Sequence, residues 1–226
     1  MHICIKETEI FLTAEPRFRV VAEKAIREAR WFIEEKIRLD PFFGLTYEPY
    51  IPLKEDPELI RRMCLASISA GVGPMASVAG AVAAYVTERL AEVGCRHAVV
   101  DNGGDISLMT DCETVIKIYS GNDATDGVGL IIPSTGGKIM GICSSSGRIG
   151  HSISFGNSDI ATVLSDDPVL SDACATTLGN MISERSDLQM AVEAVCGIHG
   201  VRGCFAMIDG AVAFCGDLPE FVLLRD

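Results

Sequence analysis

Three short stretches of this chain gather residues able to do chemistry. Asn102-Gly103-Gly104-Asp105 sets an amide, two glycines and a carboxylate in a row, a composition that lets backbone N–H groups approach a ligand closely. The same tetrapeptide also reads as a type I′ hairpin turn with no ligand at all. Ser144-Ser145-Ser146-Gly147-Arg148-Ile149-Gly150-His151-Ser152 brings hydroxyls, glycines, an arginine and a histidine together, groups that donate hydrogen bonds to phosphate or carboxylate oxygens. An ordinary polar loop has the same composition. His151 is the residue of this stretch whose type suits proton transfer near neutral pH. In Ser171-Asp172-Ala173-Cys174-Ala175-Thr176-Thr177, helical spacing sets Asp172 and Thr176 one turn apart on one face. A carboxylate and a hydroxyl so placed can serve magnesium, which takes one or two protein oxygens and completes its shell with water and phosphate. The alternative is that Ser171 or Asp172 only caps the helix.

Positioning these stretches is the task of the surrounding elements. Ile3, Ile5, Ile10 and Leu12 alternate and predict an edge strand or hairpin. Apolar residues from Phe18 to Ile37 recur at helical spacing after Pro16 and predict a long amphipathic helix over 16–38. A proline- and aromatic-rich connector follows over 40–56, then a helix over 57–70 and a small-residue helix over 78–93 that must pack very closely. Strands are expected at 97–100, 105–108, 115–119, 127–132, 139–143, 152–155 and 161–164. Helical spacing returns over 168–186 and 188–195, and a hairpin turning at Asp209-Gly210 closes the chain. This order predicts an α+β fold, a single domain with a central, mostly antiparallel sheet flanked by helices.

The 226 residues, 48% of them hydrophobic, suffice for one sizeable core. A formal net charge of -12 repels nucleic acid and anionic lipid, so neither is expected as a partner. Nine cysteines without a CxxC pair read as reduced, mostly buried thiols, with neither a disulfide framework nor a structural zinc site expected. No basic region followed by an apolar core opens the chain, and the run from Ala76 to Val86 is too short to span a bilayer. A cytoplasmic location is expected. The small-residue helix and the apolar composition make a homodimer an expectation too.

Taken in order, Val99 to Ile106 with its Asn-x-Gly-Gly-Asp turn, Ser144-Ser145-Ser146-Gly147 followed by His151, and Asp172-Ala173-Cys174-Ala175-Thr176 resemble the three signatures of the ApbE-like superfamily. The chain is most similar to its short UPF0280 (DUF375) branch. The resemblance covers 71–182 and implies a T-fold-like domain, with 1–70 a divergent strand and helices and 71–226 the signature-bearing core. It implies a small-molecule nucleotide ligand, FAD, used with magnesium to transfer FMN to a threonine of an acceptor protein. Asp172 and Thr176 would then hold the metal. Asn102, Gly103, Gly104 and Asp105 would line the nucleotide, Ser145, Ser146 and Gly147 would lie near the phosphates, and His151 near the reacting centre. Ser77-Val78-Ala79-Gly80 lacks the lysine of the family's Gly-Gly-x-x-Lys-Gly segment, and Ser152-Ile153 replaces its Asp-Pro. These departures imply a changed reaction or a non-catalytic accessory protein. For short relatives of this kind the resemblance also implies sulfur metabolism, namely sulfide assimilation toward homocysteine in methanogenic archaea.

Overall fold

A computed structural model describes residues 1–118, 128–146 and 156–224. The expected strand at 152–155 lies outside the described residues. The N-terminal alternation forms a hairpin of β1 (His2–Ile5) and β2 (Thr8–Thr13) that buries Ile3, Ile5, Ile10 and Leu12. After a short 3-10 turn comes helix α1 (Arg19–Leu39), which buries Ala22, Ala25, Ile26, Ala29 and Ile33 along one stripe. The connector is packed. Phe43 is fully buried, Tyr50 donates its hydroxyl to Asp40, and Lys36 pairs with Asp56 at 2.8 Å with both side chains 6% exposed.

Helices α2 (Glu58–Ala70) and α3 (Val78–Glu92) follow, then β3 (Ala98–Asn102) and β4 (Asp105–Met109). Next come β5 (Thr114–Lys117), β6 (Val128–Ile132), β7 (Met140–Ser145), β8 (Ile160–Ser165) and α4 (Pro168–Asn180). Helix α5 (Leu188–Cys196), β9 (Val201–Ile208), β10 (Ala211–Gly216) and β11 (Glu220–Leu223) complete the order. The β9–β10 turn has φ 49° at Asp209 and 79° at Gly210, the geometry the Asp-Gly pair predicts.

Helix α4 ends at Asn180, six residues short of the expected 186. The stop is tertiary: the Ile182 carbonyl accepts the Asn157 N–H at 2.8 Å, while Asp187 takes the N–H groups of Ser183 and Glu184 at 2.9 Å each. A fresh start at 184–187 thus replaces the helix's last turn.

Eight antiparallel strands form one sheet in the order β1-β2-β3-β4-β7-β8-β9-β10, and β11-β6-β5 form a second. Alternation divides the large sheet's side chains between two apolar layers. Ile106, Leu108, Ile142, Leu164 and Phe205 pack with Ile116, Leu130 and Ile132 of the small sheet. Val100, Met109, Cys143, Val163 and Cys204 pack beneath the helices. By the same alternation, Asp105 and Cys143, directly paired across β4 and β7, face the helices. Among the described residues no single helix is long and apolar enough to cross a membrane.

Candidate functional site

The turn between β3 and β4 has the hairpin geometry. Asn102 pairs with Asp105, and the two residues between them, Gly103 and Gly104, have φ of 74° and 99°. Glycine is needed for that conformation and not for space, since among the described residues an added Cβ at either position meets nothing within 4 Å. Among those residues the turn's backbone is therefore open. Asp101 accepts the Gly104 N–H at 2.8 Å, and burial pushes its carboxyl above the usual range. The Asn102 amide donates to the Ala79 carbonyl at 3.1 Å, tying the turn to the start of α3.

Asp172 does not cap its own helix. That role belongs to Asp167, which accepts the Val169 N–H at 3.0 Å beside Pro168 and is itself held by Arg62 at 2.8 Å. Asp172 lies a turn further on, 6% exposed, and accepts the Gly80 N–H at 2.7 Å. The Ala79 N–H also stabilises its charge. The N-cap of α3, Ser77, turns its hydroxyl to Pro74 instead, at 2.9 Å. Asp172 of α4 thus caps α3 from outside, with its charge at the positive end of that helix.

Opposite Asp172 is Asp105, 8% exposed and close enough to share a proton with it. Burial raises Asp105 well above a normal carboxyl, and the nearby Asp172 and Asp101 charges add to this. Burial likewise raises Asp172, to about 7, against the pull of the Gly80 N–H, Asp105 and the Ala79 N–H. Among the described residues no cationic side chain is one of the groups that act most strongly on either acid. Two adjacent buried carboxyls with that deficit hold one shared proton or bind a cation.

The other candidates distribute around this pair. Ser145 is buried at the end of β7 on the face of Asp105 and Cys143, and Ser146 follows half-buried. Thr176, one turn past Asp172, is half-buried. Gly147 and His151 lie outside the described residues. Sequence reasoning named Asp105 and Asp172 for different tasks and missed their pairing, along with the role of Gly80. Ser171, beside Asp172, buries a hydroxyl without a hydrogen-bond partner among the described residues.

A separate cleft of about 340 Å³ lies at the opposite end of β7 from Ser145 and is lined by residues that include Met140, Lys138, Leu164 and Arg202. Its arginine is engaged by Asp217 at 3.2 Å and Asp166 at 3.6 Å, and the signature residues are not part of its wall.

Cys143 and Cys174 are fully buried. Burial pushes Cys174 up to about 12, and burial with the Asp105 and Asp172 charges raises Cys143 well above the usual thiol range. In the native protein a maleimide at neutral pH is expected to label exposed Cys4 and Cys112 and leave Cys143 and Cys174 unmodified. Peptide mapping by mass spectrometry reads the result, and rapid native labelling of Cys174 would refute this packing.

Comparison with known proteins agrees with this architecture. A family model described as "AbpE bacteria" matches residues 1–198. A UPF0280 protein of Methanocella arvoryzae is 43% identical over 218 residues, covering 96% of this chain and 89% of that protein. A UPF0280 protein of Archaeoglobus fulgidus is 42% identical over 220 residues, covering 95% and 91%. Among solved structures, the apo form of the flavinyl transferase ApbE of Pseudomonas stutzeri shares the fold, with a TM-score of 0.57 at 12% identity over 95% of this chain and 92% of that one. The chain belongs to the ApbE-like UPF0280 family.

Proposed function

We propose that this protein binds FAD or a related nucleotide diphosphate together with magnesium and acts as a flavin-transferase-like enzyme on an acceptor protein. The observation that carries the reading is the buried Asp105–Asp172 pair, set between the open Gly103-Gly104 backbone and the start of α3. The likeness in fold to a flavinyl transferase supports it.

The donor set fits magnesium. Two carboxylates, and a threonine hydroxyl one helical turn away, are hard oxygen ligands, few enough to leave positions for water and phosphate. Bound there, magnesium would supply the positive charge that a diphosphate requires while a phosphoanhydride bond breaks. The chain's own contribution is positioning. Gly80 and Ala79 fix one edge of Asp172, while Asn102 anchors the glycine turn against α3. Gly103 and Gly104 leave room for a nucleotide to approach the main chain. Ser145, Ser146 and Gly147 would offer donors to the phosphates, and His151 would serve at the reacting centre. No lysine stands at Ser77-Val78-Ala79-Gly80, and two N–H groups at that helix start are given to Asp172. Magnesium would therefore supply phosphate neutralisation that no lysine at this helix start provides.

Calorimetric titration of FAD tests this. Binding is expected with magnesium, with a loss of at least tenfold when magnesium is withheld or in Asp172→Ala. AMP release in the presence of a threonine-bearing acceptor would then identify transfer. Absence of FAD binding in the intact protein with magnesium would overturn the flavin reading. A sulfur-carrier role is less well supported, because it needs an accessible thiol of low pKa, and the thiols beside the site, Cys143 and Cys174, are buried and raised.

A further inference from the structure

Far from the paired acids, the outer face of the N-terminal hairpin gathers a second set of ligand-type side chains. Cys4 and Glu9 are direct cross-strand partners in β1 and β2, and His2 lies two residues along from Cys4 on the same face. The register converges all three. His2 Nε2 is 2.6 Å from Glu9 Oε1 and 3.2 Å from Cys4 Sγ, and the three ligand atoms lie within 4.8 Å of one another. The imidazole is also held in place, stacked on Phe11 with ring centroids 4.6 Å apart and planes 13° from parallel.

We propose that His2, Cys4 and Glu9 form a surface zinc site with an open coordination position. One ring nitrogen serves both the Glu9 carboxylate and the Cys4 sulfur, so without a metal the two acceptors share a single N–H. A divalent ion among the three satisfies all of them, with release of the thiol proton to solvent. Thiolate, imidazole and carboxylate together favour zinc over magnesium, which selects all-oxygen sites. Three protein ligands leave a tetrahedral ion one position short, and His2 and Glu9 side chains that are 48% and 60% exposed open that position to water or an incoming group. The site is thus of the exchangeable type and independent of the nucleotide region.

In a comparable cluster, His97, Asp111 and Cys112, the imidazole already has a hydroxyl partner. The Thr110 hydroxyl donates to the Cys112 carbonyl at 2.7 Å and contacts His97 Nδ1 at 2.8 Å, while the Cys112 sulfur stands 3.8 Å from that nitrogen. It supplies the internal control.

Cobalt titrated into the untagged full chain under metal-free reducing conditions reads thiolate ligation as a charge-transfer absorption. The expected result is a charge-transfer band that excess zinc bleaches, that persists in Cys112→Ser and in Asp172→Ala, and that is lost in Cys4→Ser. In Glu9→Gln the apparent Kd should rise by about tenfold or more, at least the cost of losing an outer-shell partner. Zinc should also slow maleimide labelling of Cys4 and leave Cys112 unaffected. The three side chains are exposed, so unchanged thermal unfolding of the metal-free variants is the check on folding. No band in the intact protein, or a band that survives Cys4→Ser, would overturn the proposal.

Discussion

Replacing Gly80 with alanine is expected to cost about 3 kcal/mol of folding stability in urea unfolding. In an uncrowded helix interior the same change gains up to about 1 kcal/mol, so the sign of the effect decides the matter. The added Cβ would lie 2.5 Å from the Pro168 carbonyl oxygen and 2.7 Å from the Asp172 Cβ. Neither neighbour can give way alone. Pro168 opens α4 directly after its cap, and Asp172 is tied through its carboxylate to Gly80 itself. Relief requires α3 and α4 to separate, and α4 also rests on β7, where Gly141 meets Pro168 and Ser171 with similar closeness. That separation lengthens the 2.7 Å bond from Gly80 to Asp172 and leaves a buried carboxylate with less support. Metal or nucleotide binding should therefore weaken together with stability. A Gly80→Ala protein as stable as the original would show that the two helices are not in this contact.

Much of this fold was legible in the residues because its signals are local. The alternation of Ile3, Ile5, Ile10 and Leu12 and the apolar stripe of α1 need only neighbours in sequence to be read. Helix α4 ends earlier than its periodicity predicts, because the 3.6-residue pattern runs on through Ile182. What stops the helix is the distant Asn157 N–H at the Ile182 carbonyl and the capping carboxylate of Asp187. Periodicity carries no trace of either.

The candidate site was legible residue by residue and not as an arrangement. Asn102, Asp105 and Asp172 stand out by type and spacing, yet the pairing of Asp105 with Asp172 depends on α4 crossing the start of α3 over the β4–β7 ladder. A signal for that crossing did exist. The small residues of α3 predicted a very close approach, and Gly80 is where α4 makes it. The hairpin cluster was hidden for a different reason. A zinc site is expected from close Cys/His pairs, and the His2-x-Cys4 spacing acquires meaning only when strand alternation puts both on one face and Glu9 joins them through the register set by the tight turn at Lys6, where φ is 53°.

Asp172→Asn is expected to stabilise the metal-free protein near pH 8 while removing its response to magnesium. The direction follows from linkage. A carboxyl raised on folding, as Asp172 is to about 7 from the ordinary aspartate range, contributes stability that is fully present below the unfolded pKa and is lost as pH rises through the folded one. Between about pH 4 and 8 the original protein should therefore lose on the order of a few kcal/mol relative to the variant, because each pKa unit corresponds to about 1.4 kcal/mol. Asparagine keeps an oxygen for the Gly80 N–H and removes the charge facing Asp105. The difference between the two proteins, read by urea unfolding across that range, cancels the titration of groups not coupled to this pair and reports the Asp105–Asp172 unit. Magnesium reverses the order. At about a hundred times its Kd it should return about 2.7 kcal/mol to the original protein near pH 8, and progressively less below pH 6 as protons compete for the same oxygens, while the variant gains little. Flat stability differences across the range, with no magnesium effect, would mean that the two acids neither repel nor bind a cation, and the metal-dependent reading of this site would fall with them.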